Sequence, residues 1–219
     1  MTPRHFDLVV FDWDGTLFDS TALIVECIQA ACVDLGVEVP SATQAAYVIG
    51  LGLHDALRHA APGLPPERYP ELGRRYRQHY MARQDSLVLF PGTLEMLAAL
   101  KARNHWLAVA TGKNRAGLDA ALAHSALHMM FDATRTADET ASKPHPMMLE
   151  QLMREFGAEP ARTLMIGDTT HDLQLATNAG TASVAVAYGA HEPAALREHV
   201  SLAVLHSTAE LHAWLLAHA

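Results

Sequence analysis

The chain has 219 residues, of which 50% are hydrophobic and 18% charged, and its 16 basic and 24 acidic side chains give a formal net charge of −8 with histidine neutral. This composition excludes a disordered chain, and the acidic balance argues against a nucleic-acid partner or an anionic membrane surface. At roughly 150 residues per domain, the length predicts one large domain or one core with a smaller inserted module.

The first residues and the two cysteines indicate the compartment. Residues 1–5 lead directly into an apolar run without a long hydrophobic segment or a small-residue cleavage site, so we expect no signal peptide. No stretch approaches the roughly 18 consecutive apolar residues of a transmembrane helix. Cys27 and Cys32 fit neither a disulfide framework nor a Cys-x-x-Cys motif. We interpret them as core thiols and expect a cytoplasmic protein, either a monomer or a homodimer.

A buried strand and then a purely helical segment are predicted for the N-terminal part of the chain. Residues 6–11 are rich in β-branched and aromatic side chains and precede a turn at Asp14-Gly15, which is typical of a buried strand. Helices are predicted at residues 21–35, 41–48, 53–61 and 67–84, with a break at the proline-rich residues 62–66. Residues 19–85 therefore contain no predicted strand.

After residue 86, short apolar runs alternate with helical patterns. Strands are predicted at residues 106–110, 163–166 and 183–187, with a weaker one at 201–205. Helices are predicted at residues 93–102, 116–123, 147–156, 172–179, 194–199 and 208–217. This alternation predicts a mainly parallel, doubly wound α/β sheet with helices on both faces. We therefore predict an α/β core domain of residues 1–18 and 86–219 and an inserted helical domain of residues 19–85, with hinges near residues 16–19 and 86–91.

Polar side chains follow the predicted strands at the edge where parallel sheets bind ligands. They belong to Asp12, Asp14, Thr111, Lys113, Asp168 and Asp172, with Gly112 between Thr111 and Lys113, and Lys143 joins them from the segment before the 147–156 helix. Four neighbouring carboxylates repel one another unless a cation neutralises them, and oxygen ligands suit Mg²⁺. His124 and His128 are interpreted as a solvated helix face, so we expect no zinc site.

The same group of residues suits a phosphate ester. Mg²⁺ commonly takes a substrate phosphate as a ligand, and Lys143 and Thr111 are a cation and a hydroxyl that can contact phosphate oxygens. The backbone N–H groups of Gly112 and Lys113 would add anion contacts at the start of the following helix. An aspartate can also accept a phosphoryl group as a nucleophile.

Four segments, in order, resemble the motifs of the haloacid dehalogenase-like (HAD) hydrolase superfamily. The first is Asp12-Trp13-Asp14-Gly15-Thr16-Leu17-Phe18-Asp19-Ser20; the others are Thr111, Lys143-Pro144, and Gly167-Asp168 through Asp172. A helical insert directly after the first motif resembles the class I cap of the phosphoglycolate phosphatase-like branch, subfamily IA. The resemblance implies a Rossmann-like core.

The resemblance also implies a role for each motif residue. Asp12 would be the nucleophile that forms an aspartyl-phosphate and would ligate Mg²⁺ together with Asp168. Asp14 would act as acid and then as base, and its backbone carbonyl would bind the metal. Thr111 and Lys143 would hold the phosphoryl oxygens. Asp172 would orient the metal's waters or Lys143.

These roles predict a Mg²⁺-dependent phosphatase for a small phosphorylated metabolite, with phosphoglycolate the first compound to test. Two alternatives remain open: a phosphomutase similar to β-phosphoglucomutase, and a non-catalytic HAD-like binding protein. The segment Gly50-Leu51-Gly52 is expected to be a cap loop that faces the active site, and His54 and Arg58 beside it are candidate substrate contacts.

Overall fold

Six parallel strands form one sheet in the computed structural model, which describes residues 5–123 and 125–219. The expectations for residues 1–4 and for His124 lie outside the described residues. The strands are β1 (Leu8–Phe11), β2 (Trp106–Thr111), β3 (Ala133–Thr136), β4 (Thr163–Gly167), β5 (Ala182–Val186) and β6 (Val204–Leu205). Their order in the sheet is β3-β2-β1-β4-β5-β6. Strands β2 and β3 lie on one side of β1, and β4, β5 and β6 lie on the other side. This order is that of a doubly wound Rossmann-type sheet and confirms the predicted fold class.

Strand β1 lies at the centre of the sheet because its side chains are apolar on both faces. All four of its residues are buried, and β1 is hydrogen-bonded to β2 on one side and to β4 on the other. Val9 and Phe11 belong to one apolar cluster, while Leu8 and Val10 belong to another. This alternation is the period of two of a β-strand, so both faces of the sheet need a covering layer of helices.

Helices supply those two layers. The helices are α1 (Thr21–Asp34), α2 (Ala42–Tyr47), α3 (Leu53–Ala60), α4 (Tyr69–Met81), α5 (Thr93–Ala102), α6 (Arg115–Ala123), α7 (Met147–Phe156), α8 (Thr170–Ala179), α9 (Pro193–Arg197) and α10 (Thr208–His218). Apolar residues of α5, α6 and α10 pack on the Val9 and Phe11 face. Residues of α7 and α8 pack on the Leu8 and Val10 face.

Helices α1–α4 form a helical insert between β1 and α5. Helix α1 is its centre: Ile24 and Ile28 face one apolar cluster, and Ala31 and Cys32 face another. The described residues 19–85 contain no strand, as the sequence predicted. The two chain segments that enter and leave the insert run side by side, since the N–H of Asp19 donates to the carbonyl of Val88 at 3.0 Å.

Most predicted elements agree with the structure to within about two residues at each end, and the larger differences concern β3, α4 and β6. Strand β3 was not predicted, because its sequence Ala-Thr-Arg-Thr at the sheet edge is mostly half-buried and has no apolar run. The helix predicted at residues 67–84 is shorter, because Pro70 sits in the first turn of α4 and short 3₁₀ turns flank it. The weak strand at 201–205 reduces to β6.

Both cysteines are buried free thiols, which confirms their interpretation as core residues. They lie in α1, and burial raises the pKa of each thiol. Among the described residues, each helix is too short or too polar to cross a lipid bilayer.

Truncating a central strand residue tests this packing. Leu164 in β4 is fully buried, so Leu164→Ala should lower the free energy of unfolding by about 2–5 kcal/mol through lost burial and a residual cavity. The control Val200→Ala removes two methyl groups from an 81% exposed residue and should change the free energy of unfolding by less than about 0.5 kcal/mol. Urea unfolding measures both. Equal effects of the two substitutions would contradict the assigned core.

Candidate active site

The carboxyl ends of the two central strands place two aspartates at one edge of the sheet. Asp12 directly follows β1, and its N–H donates to the carbonyl of Ile166 in β4 at 2.8 Å. Asp168 directly follows β4 and is completely buried. Because β1 and β4 are paired in parallel register, both side chains emerge at the same edge.

A third aspartate is brought there by the start of α8. Thr169 caps this helix, and its N–H and hydroxyl donate to Oδ2 of Asp172 at 3.1 and 2.7 Å. This capping arrangement fixes the Asp172 carboxylate. Asp12, Asp168 and Asp172 then each offer one carboxylate oxygen, and these oxygens lie within 4.8 Å of one another. We call these three residues the acidic triad.

Lys143 places a buried ammonium group against the acidic triad. Its Nζ lies 2.6 Å from Oδ1 of Asp12 and 2.7 Å from Oδ1 of Asp172, and its side chain is completely buried. Burial lowers the pKa of Lys143, but the charges of Asp12 and Asp172 outweigh it and raise the pKa above the usual value. The ammonium group is therefore charged, and it ties α8 and β1 to the segment that precedes α7.

Burial has the opposite effect on the aspartates. It raises the pKa of Asp12 well above its usual range, with Lys143 acting against it. Burial, followed by the charge of Asp172, raises the pKa of Asp168 to about 7. The Thr16 hydroxyl and the Ala190 N–H donate to the two oxygens of Asp168 at 2.8 and 2.7 Å and limit this rise. The three carboxylates of the acidic triad lie beside a single ammonium group, so a further cation would relieve their mutual repulsion.

The acidic triad fits a divalent cation. Among the described residues, Oδ2 of Asp12 is buried without a hydrogen-bond partner, which is a costly state for a carboxylate oxygen. A hard cation with oxygen ligands would satisfy this oxygen and neutralise the excess negative charge. Mg²⁺ therefore fits the donor set.

Asp14 turns its carboxylate away from the acidic triad and toward the helical insert. It accepts a hydrogen bond from the Ser20 hydroxyl at 2.8 Å, and Lys113 Nζ lies 2.9 Å from its Oδ2. Lys113 Nζ also donates to the Tyr80 hydroxyl at 2.9 Å and lies 4.7 Å from the centroid of that ring. Since Tyr80 belongs to α4, Lys113 links a motif residue of the core to the insert.

The end of β2 holds the remaining predicted phosphate contacts. Thr111 is buried, and its hydroxyl oxygen accepts the N–H of Lys113 at 3.2 Å. The N–H of Lys113, which was expected to contact phosphate, is therefore hydrogen-bonded within the chain, and its ammonium group contacts Asp14. The segment Gly50-Leu51-Gly52 of the insert lies directly over this place, because a Cβ at Gly112 would collide with the Leu51 carbonyl oxygen.

A cavity of about 580 Å³ opens between the insert and the edge of the sheet. Asp12, Asp14 and Thr111 line it on the core side, and His54 lines it on the insert side. Arg58 lies elsewhere: its guanidinium is 6.0 Å from the ring centroid of Tyr69. Of the two candidate substrate contacts, the structure brings only His54 to the cavity.

Several contacts around the site were not predicted from the sequence. Thr16 and Ser20 lie within the first motif, and their hydroxyl groups were the available signal. No sequence motif identifies Tyr80 or the N–H of Ala190 as site groups, because only the fold brings them to Lys113 and Asp168. Ser142 belongs to the same group: its hydroxyl accepts the N–H of Gly52 from the insert at 2.8 Å.

Comparison with known proteins decides the family. The model of the haloacid dehalogenase-like hydrolase family matches residues 9–186. The chain belongs to this family. The match runs from β1 to β5 and includes the acidic triad, Thr111 and Lys143, which confirms the resemblance seen in the sequence motifs.

Individual known proteins match most of the chain. A probable phosphatase IndB from Dickeya dadantii is 40% identical over 190 residues, covering 84% of this chain and 82% of the relative. A phosphoglycolate phosphatase from Synechococcus elongatus is 29% identical over 181 residues, covering 83% of this chain and 84% of the relative. The crystal structure of a predicted phosphoglycolate phosphatase from Haemophilus somnus has a TM-score of 0.85 at 26% identity, covering 96% of this chain and 98% of that chain.

Adding a methyl group at Gly112 tests the contact between insert and core. Because its Cβ would collide with the backbone carbonyl oxygens of Gly50 and Leu51, Gly112→Ala should lower the free energy of unfolding by about 1–3 kcal/mol. The control Gly63→Ala places a methyl group with nothing within 4 Å and should change it by less than about 0.5 kcal/mol. Urea unfolding compares the two, and unchanged stability in Gly112→Ala would show that the loop does not rest on Gly112.

Proposed function

We propose that the protein is a Mg²⁺-dependent phosphatase that hydrolyses a small phosphorylated metabolite through an aspartyl-phosphate at Asp12. One observation carries this proposal. Asp12 is buried with one carboxylate oxygen on Lys143 and the other without a partner among the described residues, and it lines the cavity between core and insert. A carboxylate held in this way is oriented to attack a phosphorus atom bound in that cavity.

In the first half of the reaction, one carboxylate oxygen of Asp12 would form a bond to phosphorus while the bond from phosphorus to the ester oxygen breaks. Asp14 would donate a proton to the departing oxygen, which leaves as an alcohol. Lys143 keeps Oδ1 of Asp12 oriented through their 2.6 Å contact. Phosphorylated Asp12 and deprotonated Asp14 remain.

In the second half, a water molecule would attack the phosphorus atom, and the bond to Asp12 would break. The Asp14 carboxylate would accept the proton of this water, which restores the starting protonation states. Ser20 and Lys113 position Asp14 for this role, since both contact its carboxylate within 3 Å. Inorganic phosphate and free Asp12 result.

The phosphoryl oxygens would be held by groups at the end of β2 and by Lys143. Thr111 and Gly112 line the cavity, so the Thr111 hydroxyl and the Gly112 N–H would donate to the phosphoryl oxygens, and the Lys143 ammonium would neutralise developing charge. Asp12, Asp168 and the Asp14 carbonyl would hold Mg²⁺, and Asp172 would keep Lys143 in place through their 2.7 Å contact. When bound, the ion would supply positive charge to the phosphoryl oxygens.

Residues 19–85 would act as a cap over a core of residues 1–18 and 86–219. The contacts of Gly52 with Ser142 and of Tyr80 with Lys113 support a closed position in which the insert covers the site. Hinges at residues 16–19 and 86–91 would let the cap open for substrate and close to exclude water. The buried free thiols support a reducing, cytoplasmic location.

Phosphoglycolate is the reference substrate, because two relatives carry that name. A phosphomutase similar to β-phosphoglucomutase would use the same core residues, and product analysis separates the two functions. A phosphatase releases inorganic phosphate, whereas a mutase converts one sugar phosphate into its isomer.

Removing the proposed nucleophile tests the phosphatase. Asp12→Asn should lower kcat for acetyl phosphate, a small phosphate donor, at least about a thousand-fold, because an amide does not attack phosphorus. The control Asp34→Asn makes the same change at a surface residue and should keep the wild-type rate. Phosphate release measures both. Retained turnover in Asp12→Asn would contradict the assignment.

Mg²⁺ should stabilise the folded protein, because it binds a carboxylate set that only the folded state assembles. At about 100 times its Kd the ion contributes about 2.7 kcal/mol, which corresponds to a rise of about 5–10 °C in Tm for a chain of this size. Asp168→Asn should lose most of this rise, since it removes one charged ligand. Thermal unfolding at constant ionic strength measures the shift, and equal shifts in both proteins would contradict the metal site.

A further inference from the structure

The cavity above Asp12 is larger than a two-carbon acid requires. Its volume of about 580 Å³ lies within the range of roughly 300–1,000 Å³ of pockets that bind ligands of drug size. The phosphoryl group would occupy the part beside Asp12 and Thr111. The remaining space, between α1, α4 and the Gly50-Leu51-Gly52 segment, would therefore receive the leaving group of the ester.

Apolar side chains make up the wall around this remaining space. They come from α1, from the segment after α2, and from α4, and include Ile24, Ile28, Val48, Ile49, Tyr76 and Met81. The four aliphatic members of this set are almost fully buried. Burying an apolar leaving group against them removes apolar surface from water, at roughly 25 cal/mol per Å².

The charged groups that line the cavity disfavour a carboxylate on the leaving group. Lys113 is held by Asp14 and by the Tyr80 hydroxyl, so binding a substrate carboxylate would compete with both contacts. Asp55 and Asp138 add negative charge to the lining. Arg77 lines the cavity from an exposed position, where a charge contact contributes little.

Two tyrosines of α4 give the wall a flat aromatic part. The rings of Tyr76 and Tyr80 are stacked, with centroids 5.9 Å apart and planes 27° from parallel, and both residues line the cavity. Aromatic rings favour contact with other rings beyond the effect of burial alone. A planar ring on the leaving group would find such a partner here.

We propose that the substrate is the phosphate ester of an alcohol whose leaving group carries a planar, uncharged ring, and that Tyr76 is a specificity-determining residue for it. The inference rests on the phosphatase function proposed above and names the substrate class of that site. In this proposal, residues of the core hydrolyse the ester and residues of the insert select the ring.

Three phosphate esters of primary alcohols provide the first test on the unmodified protein. Benzyl phosphate carries an uncharged ring, ethyl phosphate carries no ring, and phosphoglycolate carries a carboxylate. With Mg²⁺ present, kcat/KM for benzyl phosphate should exceed that for each of the others at least about ten-fold, because the ring is buried against the apolar wall. Equal or higher kcat/KM for ethyl phosphate or phosphoglycolate would overturn the inference.

Acetyl phosphate distinguishes failure of this inference from failure of the proposed function. Turnover of acetyl phosphate without a preference for benzyl phosphate overturns the ring specificity and leaves the phosphatase standing. No phosphate release from any of the four compounds overturns the phosphatase, and the inference with it.

A substitution at Tyr76 provides the second test. Tyr76→Leu keeps an apolar side chain but removes the ring, so the ratio of kcat/KM for benzyl phosphate over ethyl phosphate should fall about three-fold or more. The control Tyr69→Leu makes the same change in the same helix, at a buried residue outside the cavity lining, and should keep the wild-type ratio. Because both rates come from one protein sample, a loss of folded protein does not change the ratio. An unchanged ratio in Tyr76→Leu would overturn the role of this residue.

Discussion

The ammonium group of Lys143 is the contact on which the rest of the site depends. It lies between Asp12 and Asp172 in the interior, where removing one partner of a buried ion pair costs about 3–5 kcal/mol. Without this charge, the acidic triad would be buried with no cation from residues 5–123 and 125–219 in contact with it. Apolar packing would stabilise the fold as well as this buried ion pair does. The ion pair matters because it orients the Asp12 carboxylate.

The core and the insert divide the work and meet at two places. The core supplies the acidic triad and, in the proposed reaction, would supply the nucleophile and the groups that hold phosphate, all at the carboxyl edge of the sheet. The insert supplies the apolar wall. Lys113, between Asp14 and Tyr80, and Gly112, under the Gly50-Leu51-Gly52 segment, join them. The insert therefore has two effects when it lies against the core. It completes the wall of the cavity, and through Tyr80 it holds Lys113 beside Asp14.

Much of this arrangement was predictable because its signals are local in the sequence. The apolar run before Asp12 predicts a buried strand, and an aspartate after such a strand must lie at the edge of the sheet. Strand β3 was missed because an edge strand needs little apolar character. The partnership of Lys113 with Tyr80 and the apolar wall were missed because they depend on which faces of α1 and α4 turn toward the core, which the helical patterns alone do not determine.

Trapping the phosphorylated protein tests the central claim most directly, namely that buried Asp12 accepts the phosphoryl group. The protein would be mixed with Mg²⁺ and a phosphate ester labelled in its phosphoryl group, quenched in acid during turnover, and digested for peptide mapping. We expect label on the peptide that contains Asp12, and hydroxylamine should release this label, as it does from an acyl phosphate. Steady turnover with no label on the protein, or label on a different residue, would contradict it.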